Sequence, residues 1–272
     1  MSNQAGADRP FFKQGTNVPE VIAHRGGAGE WPAETIYAFE QAVDIGVDIL
    51  EMDIRYTSDE ELILMHDASL KETTGLDKRV EKVEYDEIKD LDAAFRWRQA
   101  GKVFPPDANL KVPRLEDVLK NKKLLGRRMN IEIKPSDFPL RLIQKFHELL
   151  KKYEMTDKVL VASGWNHVLH EFRRECPEVA TSASVLEIEE FKALDKVFDW
   201  DYRPDTDAIQ WYSRLLVPII TKKFVDKAKQ LNLKVHGWTV NEEKEMLRLK
   251  ELGIDGIITD YPSTLLRLLK RL

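Results

Sequence analysis

Ionisable side chains recur at or just after the ends of short apolar runs in this sequence. Six segments have this form: VIAHRGG (21–27), ILEMDI (49–54), LILMHD (62–67), NIEIK (130–134), HGWTV (236–240) and IITDYP (257–262). Their side chains include three carboxylates, two imidazoles and two cations: Glu51, Asp53, Glu132, His24, His66, Arg25 and Lys134. A metal-assisted attack on a phosphate ester requires groups of these types close together.

The carboxylates have the spacing of a strand. Glu51 and Asp53 are two residues apart, as are Glu132 and Lys134, and side chains alternate along a strand, so each pair shares one face. Three hard oxygen donors predict a single Mg²⁺ or Ca²⁺. Zinc is disfavoured because no His or Cys stands at ligand spacing in these segments. The alternative is that the carboxylates only form salt bridges with Arg25 and Lys134.

His24 and His66 each end an apolar run. Two imidazoles beside a phosphate can divide the proton transfers, one accepting a proton from the nucleophile and the other donating one to the leaving oxygen. The sequence leaves open which is acid and which is base. Arg25 and Lys134 are expected to contact the phosphate, a role compatible with balancing the carboxylates.

Aromatic and amide side chains of later runs are weaker candidates for the same site. Trp238 is expected to form a wall against the substrate, although a buried barrel tryptophan is the competing interpretation. His236 alternates with Trp238 and so shares its face. Gln210 and Trp211 end another apolar run and are lesser candidates for lining the pocket.

The segments that must position these residues alternate between strand-like and helix-like patterns. Strands are predicted at 20–24, 48–53, 130–133, 158–162, 179–183, 208–211, 234–239 and 256–259, and helices at 33–45, 115–121, 140–153, 166–175, 187–197, 221–231, 242–252 and 262–269. Eight strands with intervening helices predict an α/β fold, a TIM (β/α)₈ barrel, rather than an open doubly wound sheet. The carboxyl ends of barrel strands converge on one face, where the candidate residues would meet.

Length and composition are consistent with one domain at 19–272, after a flexible arm at 1–18. The irregular stretch at about 67–112 is predicted to be an insertion after the second strand, a lid or a subdomain. A net charge of −5 argues against nucleic-acid partners. No apolar run reaches the roughly 18 residues of a membrane helix, and the first 20 residues lack the order of a secretory signal. The default expectation is a cytoplasmic protein, with a trimmed secreted or membrane-anchored form as the alternative.

Taken in order, the segments resemble the glycerophosphodiester phosphodiesterase family. The resemblance runs from Val21 to about Leu269 through HRGG (24–27), E-x-D (51–53), HD followed by L-x-x-T-T-G (66–75), PRLEDVL (113–119), E-x-K (132–134), GWTV (237–240) and GIDGIITDYP (253–262). It implies a TIM barrel with an insertion and a divalent cation on Glu51, Asp53 and Glu132. It also implies His24 and His66 as the acid–base pair, and phosphate contacts from Arg25 and Lys134.

One segment departs from the family pattern. The family usually reads P-E-N-T after the HRG turn, whereas this chain has Pro32, Ala33, Glu34 and Thr35. The change concerns the first loop and the surroundings of the metal, not the metal or acid–base positions.

The resemblance implies hydrolysis of a small-molecule glycerophosphodiester to an alcohol and sn-glycerol 3-phosphate. The second hypothesis for an enzyme is a lysophospholipase D acting on single-chain lipids. The aromatic residues Phe95, Trp97, Phe104 and Trp31 would allow an apolar groove for such a lipid. A phosphatidylinositol-type phospholipase C fits the E-x-D and E-x-K segments less well. A non-catalytic phosphate-ester binding protein is the alternative outside enzymology. The sequence does not determine the oligomeric state.

Overall fold

The computed structural model describes residues 6–15, 17–193, 205–212 and 219–272. In these ranges the strands are β1 (Glu20–Ala23), β2 (Ile49–Tyr56), β3 (Leu62–Leu64), β4 (Arg128–Ile133), β5 (Val159–Ala162), β6 (Ala180–Thr181), β7 (Ala208–Trp211), β8 (Lys234–Gly237) and β9 (Gly256–Thr259). The α-helices are α1 (Pro10–Lys13), α2 (Ile36–Asp44), α3 (Lys71–Thr74), α4 (Tyr85–Ile88), α5 (Phe95–Gln99), α6 (Leu115–Leu119), α7 (Leu140–Lys152), α8 (Asn166–Glu175), α9 (Val185–Ala193), α10 (Lys222–Gln230), α11 (Glu243–Glu251) and α12 (Pro262–Leu268).

The parallel strands form a ring. Their order is β6–β5–β4–β2–β1–β9–β8–β7, and the parallel bridge between Ser182 and Ala208 brings the two ends of this path together. The predicted TIM barrel is confirmed, and each predicted barrel strand corresponds to one observed strand with small differences at the ends. Because helices cover the outside, the outward residues of the strands are as buried as those of a core.

Two apolar layers follow from the two faces of each strand. Outward residues of β2 and β4 pack beneath the helices in one large cluster, as the alternation predicts: Leu50, Met52, Ile54, Ile131 and Ile133. The inward residues at the amino end form a separate small cluster that includes Ile22, Ile49, Leu160 and Ile258. The charged side chains of β2 and β4 therefore occupy inward positions, near the two ends of the barrel.

The predicted insertion is a small subdomain attached to a hairpin. β3 pairs antiparallel with the carboxyl-terminal part of β2, through Ile54 and Leu64, and is not one of the parallel strands of the barrel. The chain then forms α3, α4 and α5 around a core of their own: Ile63, Met65, Leu70, Val80, Val83, Ile88, Ala93 and Val112. The hairpin holds His66 over the carboxyl ends of the strands.

The described part of the N-terminal segment is not the flexible arm that the sequence predicts. Phe11 and Phe12 of α1 are buried, only 1% and 8% exposed, against inward residues of the barrel. Arg9 bonds to Asp207 just before β7, and Gln14 donates to the carbonyl of Asp157 just before β5. The segment therefore closes the amino end of the barrel. The segment is mostly polar, and its large apolar side chains are two adjacent phenylalanines. It therefore has no helical or strand periodicity from which its packing against the barrel could be predicted.

Local capping sets several helix boundaries. α2 begins at Ile36, later than the predicted residue 33, because the hydroxyl of Thr35 accepts the amide hydrogen of Ala38 and caps the helix there. The predicted helix at 187–197 corresponds to α9 as far as Ala193, and its residues 194–197 lie outside the described ranges. Across the described ranges, none of the helices combines the length and the apolar character that spanning a bilayer requires.

Candidate active site

The predicted carboxylates meet at the carboxyl ends of β2 and β4. Asp53 pairs in register with Glu132, and one oxygen each from Glu51, Asp53 and Glu132 lies within 4.8 Å of the others. Asp53 is 1% exposed and Glu51 is 3% exposed. Ligands on opposite sides of one Mg²⁺ or Ca²⁺ are about 4–5 Å apart, so this spacing fits a single shared ion.

The crowded carboxylates are electrostatically unequal. Burial and the negative charge of Asp53 raise the pKa of Glu51 well above its usual range, and they also raise the pKa of Glu132. Burial acts on Asp53 in the same direction, but Lys134 and Arg25 outweigh it and lower the pKa of Asp53. Like charges held this close are unfavourable unless a cation offsets them. The donor set thus fits a dication by chemistry as well as by distance.

The two predicted phosphate contacts lie beside the carboxylates. Arg25 Nε is 2.9 Å from Asp53 Oδ2, and Lys134 Nζ is 3.1 Å from Glu132 Oε1 and 3.7 Å from Asp53 Oδ1. Burial alone would lower the pKa of each cation, but Asp53 and the neighbouring carboxylates together outweigh it, so both pKa values are raised. Both cations therefore stay charged beside the position where a phosphate would bind.

His24 lies at the centre of a hydrogen-bond network. Its Nδ1 is 2.6 Å from Oδ1 of Asp260, and Trp238 Nε1 donates to its Nε2 at 3.3 Å. Because Nε2 accepts from the indole, the proton of the neutral ring is on Nδ1 and bonds to the carboxylate. The same Nε2 is 3.9 Å from Glu51 Oε2. His24 is thus held as a proton acceptor next to the carboxylate cluster.

His66 lies in the loop that follows β3, close enough to Asp53 for the two to interact electrostatically. Its Nδ1 is 2.7 Å from Asp67 Oδ1, and its backbone carbonyl accepts from Arg55 Nε at 2.8 Å. Burial lowers the pKa of His66, more than the nearby Asp53 raises it. The two predicted histidines therefore flank the carboxylates, each with a carboxylate on Nδ1.

Two groups of the histidine network are absent from the sequence-based prediction. Asp260 follows β9, and Asn241 holds it by donating to Oδ2 at 2.6 Å and by accepting from its backbone amide at 3.0 Å. Asp260 stands in the IITDYP segment at a strand end, which is the signal that identified the other acids. Asn241 lies between β8 and α11, outside the six segments, so no strand-end position indicates that its side chain supports Asp260.

Glu34, one of the two residues that depart from the family pattern, lies under the carboxylate cluster. It is 4% exposed, and its Oε1 accepts the backbone amide of Asp53 at 2.9 Å. Its Oε2 is buried without a hydrogen-bond partner among the described residues. Burial, Asp53 and Glu51 together raise its pKa well above the usual range. Its φ of 59° is a conformation that asparagine adopts more readily than glutamate.

A cavity of about 360 Å³ begins at Glu51 and Glu132, and most of its wall is apolar. Its lining includes the predicted Trp238 and the lesser candidates Gln210 and Trp211, together with Tyr212, Val185 and Ile188. His236 lies deeper, fully buried beside Phe12, with Gln210 3.1 Å from its Nδ1. Its place is thus in the barrel interior, next to the floor formed by the N-terminal segment.

Known proteins resemble this chain over nearly its whole length. The glycerophosphoryl diester phosphodiesterase family matches residues 24–264. An uncharacterized protein of Bacillus subtilis, YqiK, is 31% identical over 93% of this chain and 99% of its own length. A glycerophosphodiester phosphodiesterase of Caldanaerobacter subterraneus is 30% identical over 92% and 98%.

Solved structures show the same fold. A putative glycerophosphoryl diester phosphodiesterase from Silicibacter pomeroyi superposes with a TM-score of 0.77 at 24% identity, covering 94% of both chains. A phosphodiesterase from Oleispira antarctica gives the same TM-score and identity over 93% of this chain and 97% of that one. The predicted family and the predicted enzyme class, a phosphoric diester hydrolase, are confirmed. The chain belongs to the glycerophosphoryl diester phosphodiesterase family.

Proposed function

We propose that this enzyme hydrolyses glycerophosphodiesters to an alcohol and sn-glycerol 3-phosphate, with one Mg²⁺ or Ca²⁺ held by Glu51, Asp53 and Glu132. The observation that carries the proposal is the carboxylate cluster flanked by His24 and His66, with Arg25 and Lys134 beside it. The Oleispira antarctica neighbour is described with sn-glycerol 3-phosphate as its product, which is the product proposed here.

The bound cation would supply Lewis acidity at a phosphate oxygen and fix the orientation of the glycerol hydroxyls. Arg25 and Lys134 would hold the remaining phosphate oxygens and stabilise the negative charge of the transition state. Both are already held in place by Asp53. The barrel therefore presents preoriented positive charge to the diester.

His24 is proposed as the general base. Its Nε2 is an acceptor by virtue of the Asp260 and Trp238 contacts, and it lies 3.9 Å from Glu51, which lines the cavity that would hold the glycerol. It would take a proton from water or from a glycerol hydroxyl. His66, in the loop after β3, would then donate a proton to the leaving oxygen of the alcohol.

The test is a headgroup panel assayed with and without a chelator. We expect glycerol phosphate release from glycerophosphocholine, -ethanolamine or -inositol, loss on chelation, and recovery with Mg²⁺ or Ca²⁺. His24→Ala and His66→Ala should each lower kcat by roughly 10²–10⁴-fold. Phosphorus-31 NMR separates the two nucleophiles, because only attack by a glycerol hydroxyl gives a cyclic phosphate first.

Several results would contradict the proposal. Ligand and metal binding by calorimetry with zero turnover would favour a non-catalytic binding protein instead. Near-wild-type rates in the alanine variants would remove His24 and His66 from the mechanism. Full activity in the presence of chelator would remove the metal.

A lysophospholipase D activity is the second candidate, because the cavity beside Glu51 and Glu132 has a largely apolar wall. A lysophospholipase D of Rattus norvegicus is 29% identical over 90% of this chain and 84% of its own length. If the second candidate holds, lysophosphatidylcholine is hydrolysed with a higher kcat/KM than glycerophosphocholine. A higher value for the deacylated substrate would reject it.

A further inference from the structure

A second cavity, of about 220 Å³, opens beside the proposed phosphate position and shares no lining residue with the first. It begins at Lys134, whereas the first begins at Glu132, the preceding inward residue of the same segment. Its other lining residues are Arg55, Tyr56, Arg79, Val80, Glu81, Pro135, Ser136, Asp137 and Trp165. A phosphodiester has two substituents, and the two cavities extend from the phosphate position in two directions.

The metal carboxylates distinguish the two cavities. Glu51 and Glu132 line the first cavity, so the hydroxyl-bearing glycerol, which the metal would orient, belongs there. No metal carboxylate lines the second. Arg55, one of the residues that line the second cavity, donates a hydrogen bond to the backbone carbonyl of the proposed acid His66. The headgroup, which leaves with the proton from that acid, therefore belongs in the second cavity.

The charges of this second cavity are unevenly neutralised. Arg79 is paired with Glu81, and Lys134 is paired with Glu132. Arg55 uses only Nε, which donates to the His66 carbonyl at 2.8 Å. Within the described ranges its two terminal nitrogens make no hydrogen bond or ion pair, while the charges of Asp53 and Asp67 act on the guanidinium from a greater distance. A planar guanidinium edge of this kind matches the two oxygens of a carboxylate.

Two acidic side chains, Glu81 and Asp137, line the same cavity. Because Glu81 is already paired with Arg79, Asp137 is the acid that would attract an ammonium group carried beside a headgroup carboxylate. The cavity therefore complements a small zwitterion.

We propose that this cavity is the headgroup subsite and that Arg55 makes it selective for a headgroup carrying a carboxylate beside an ammonium group, as in glycerophosphoserine. The proposal rests on the proposed function. Glycerophosphoethanolamine is the matched substrate, because it lacks only the carboxylate. A charge-assisted hydrogen-bond pair in a partly buried site corresponds to roughly a 10- to 100-fold preference.

The experiment measures kcat/KM for both substrates under one metal condition, and the readout is their ratio. We expect the wild-type enzyme to favour glycerophosphoserine by about 10-fold or more, and Arg55→Gln to bring the ratio close to one. Arg55→Lys keeps the charge but not the planar edge, so its ratio should fall in between. The ratio is insensitive to a general loss of rate from the contact with His66.

Arg127→Gln is the matched control, since Arg127 is an exposed arginine at the amino end of β4, far from the site. Its ratio should equal that of the wild type. A wild-type ratio near or below one, or an unchanged ratio in both Arg55 variants, would overturn the headgroup assignment while leaving the phosphodiesterase activity intact. No glycerol phosphate from either substrate would overturn the proposed function itself.

Discussion

At the scale of single residues, the site depends on carboxylates that do different work according to their neighbours. Asp53 is kept ionised by Lys134 and Arg25, whereas Glu51 and Glu132 have raised pKa values because burial and Asp53 oppose their charge. Asp260 has a lowered pKa, because its bonds to His24 and Asn241 outweigh its burial, which acts in the opposite direction. The same side-chain type thus forms the proposed metal site and the partner of His24.

The Asp260 contact gives a prediction at this scale. Asp260→Asn removes the carboxylate that holds the His24 proton on Nδ1, so the tautomer needed at Nε2 is no longer favoured. We expect kcat to fall by about 10²–10⁴-fold with KM changed only slightly. Steady-state kinetics on the best substrate of the panel measures both constants.

Asp226→Asn is the control for this variant, because Asp226 lies on α10 and is paired only with Lys222 in the described ranges. It should retain wild-type constants. An Asp260→Asn enzyme with wild-type kcat would show that His24 needs no carboxylate to orient it.

At the scale of elements, the two ends of the barrel are closed differently. The carboxyl end has the β2–β3 hairpin and its subdomain, which position His66. The amino end is closed by α1, where the Arg128 guanidinium stacks on Phe11 at 5.4 Å and also bonds to Glu20 at 2.5 Å. The hairpin that positions His66 and the helix α1 that closes the amino end thus lie at opposite ends of the same strands.

Removal of the Phe11 ring should therefore affect stability and not chemistry. Phe11→Ala leaves a cavity at a position that is 1% exposed, and such truncations cost about 3–5 kcal/mol of the free energy of unfolding. Urea or guanidinium unfolding measures the loss. The kcat/KM of the remaining folded enzyme should be unchanged because the site is at the other end.

Lys13→Ala, an exposed position on the same short helix, should change the unfolding free energy by less than about 0.5 kcal/mol. If Phe11→Ala is as mild as this control, the N-terminal segment does not seal the barrel in solution.

At the scale of the whole molecule, the barrel interior is unusually polar for a buried region. Above Ile22 and Ile49 it contains Asn130 and His236, both at most 2% exposed. Asp255, Lys234 and Arg128 act on His236 electrostatically, but burial dominates and lowers its pKa to about 4. The fold therefore holds a neutral imidazole in its centre.

The central histidine predicts a pH dependence of stability. The ring is neutral in the folded state down to about pH 4, whereas in the unfolded chain it takes a proton near its usual pKa of 6.5. Stability is thus lost progressively as the pH falls from about 6.5 to 4, by up to about 3 kcal/mol from this group. Denaturant unfolding at several pH values between 4.5 and 7.5 measures the slope.

His236→Gln, which does not titrate, should unfold with a visibly shallower pH dependence than the wild type over the same range. Other acids contribute equally to both proteins, so the difference between the two curves isolates His236. Parallel curves would mean that folding does not shift the pKa of His236.

The barrel and most residues of the proposed site can be predicted from the spacing of residues along the chain. Strands of period two place Glu51 and Asp53 on one face and Leu50 and Met52 on the other, and this pattern needs no tertiary information. Because parallel barrel strands end on a common face, strand-end positions are enough to predict that His24 and Glu132 lie at the same end of the barrel.

The hydrogen-bond partners of these residues depend on the tertiary structure and cannot be read from spacing along the chain. Asp260 and His24 are 236 residues apart, and their contact depends on β1 and β9 being neighbours in the closed ring. The floor formed by Phe11 and the second cavity beside Arg55 likewise depend on where distant segments pack. Spacing along one strand is local and readable from the sequence, whereas contacts between strand ends and loops arise only when the barrel closes.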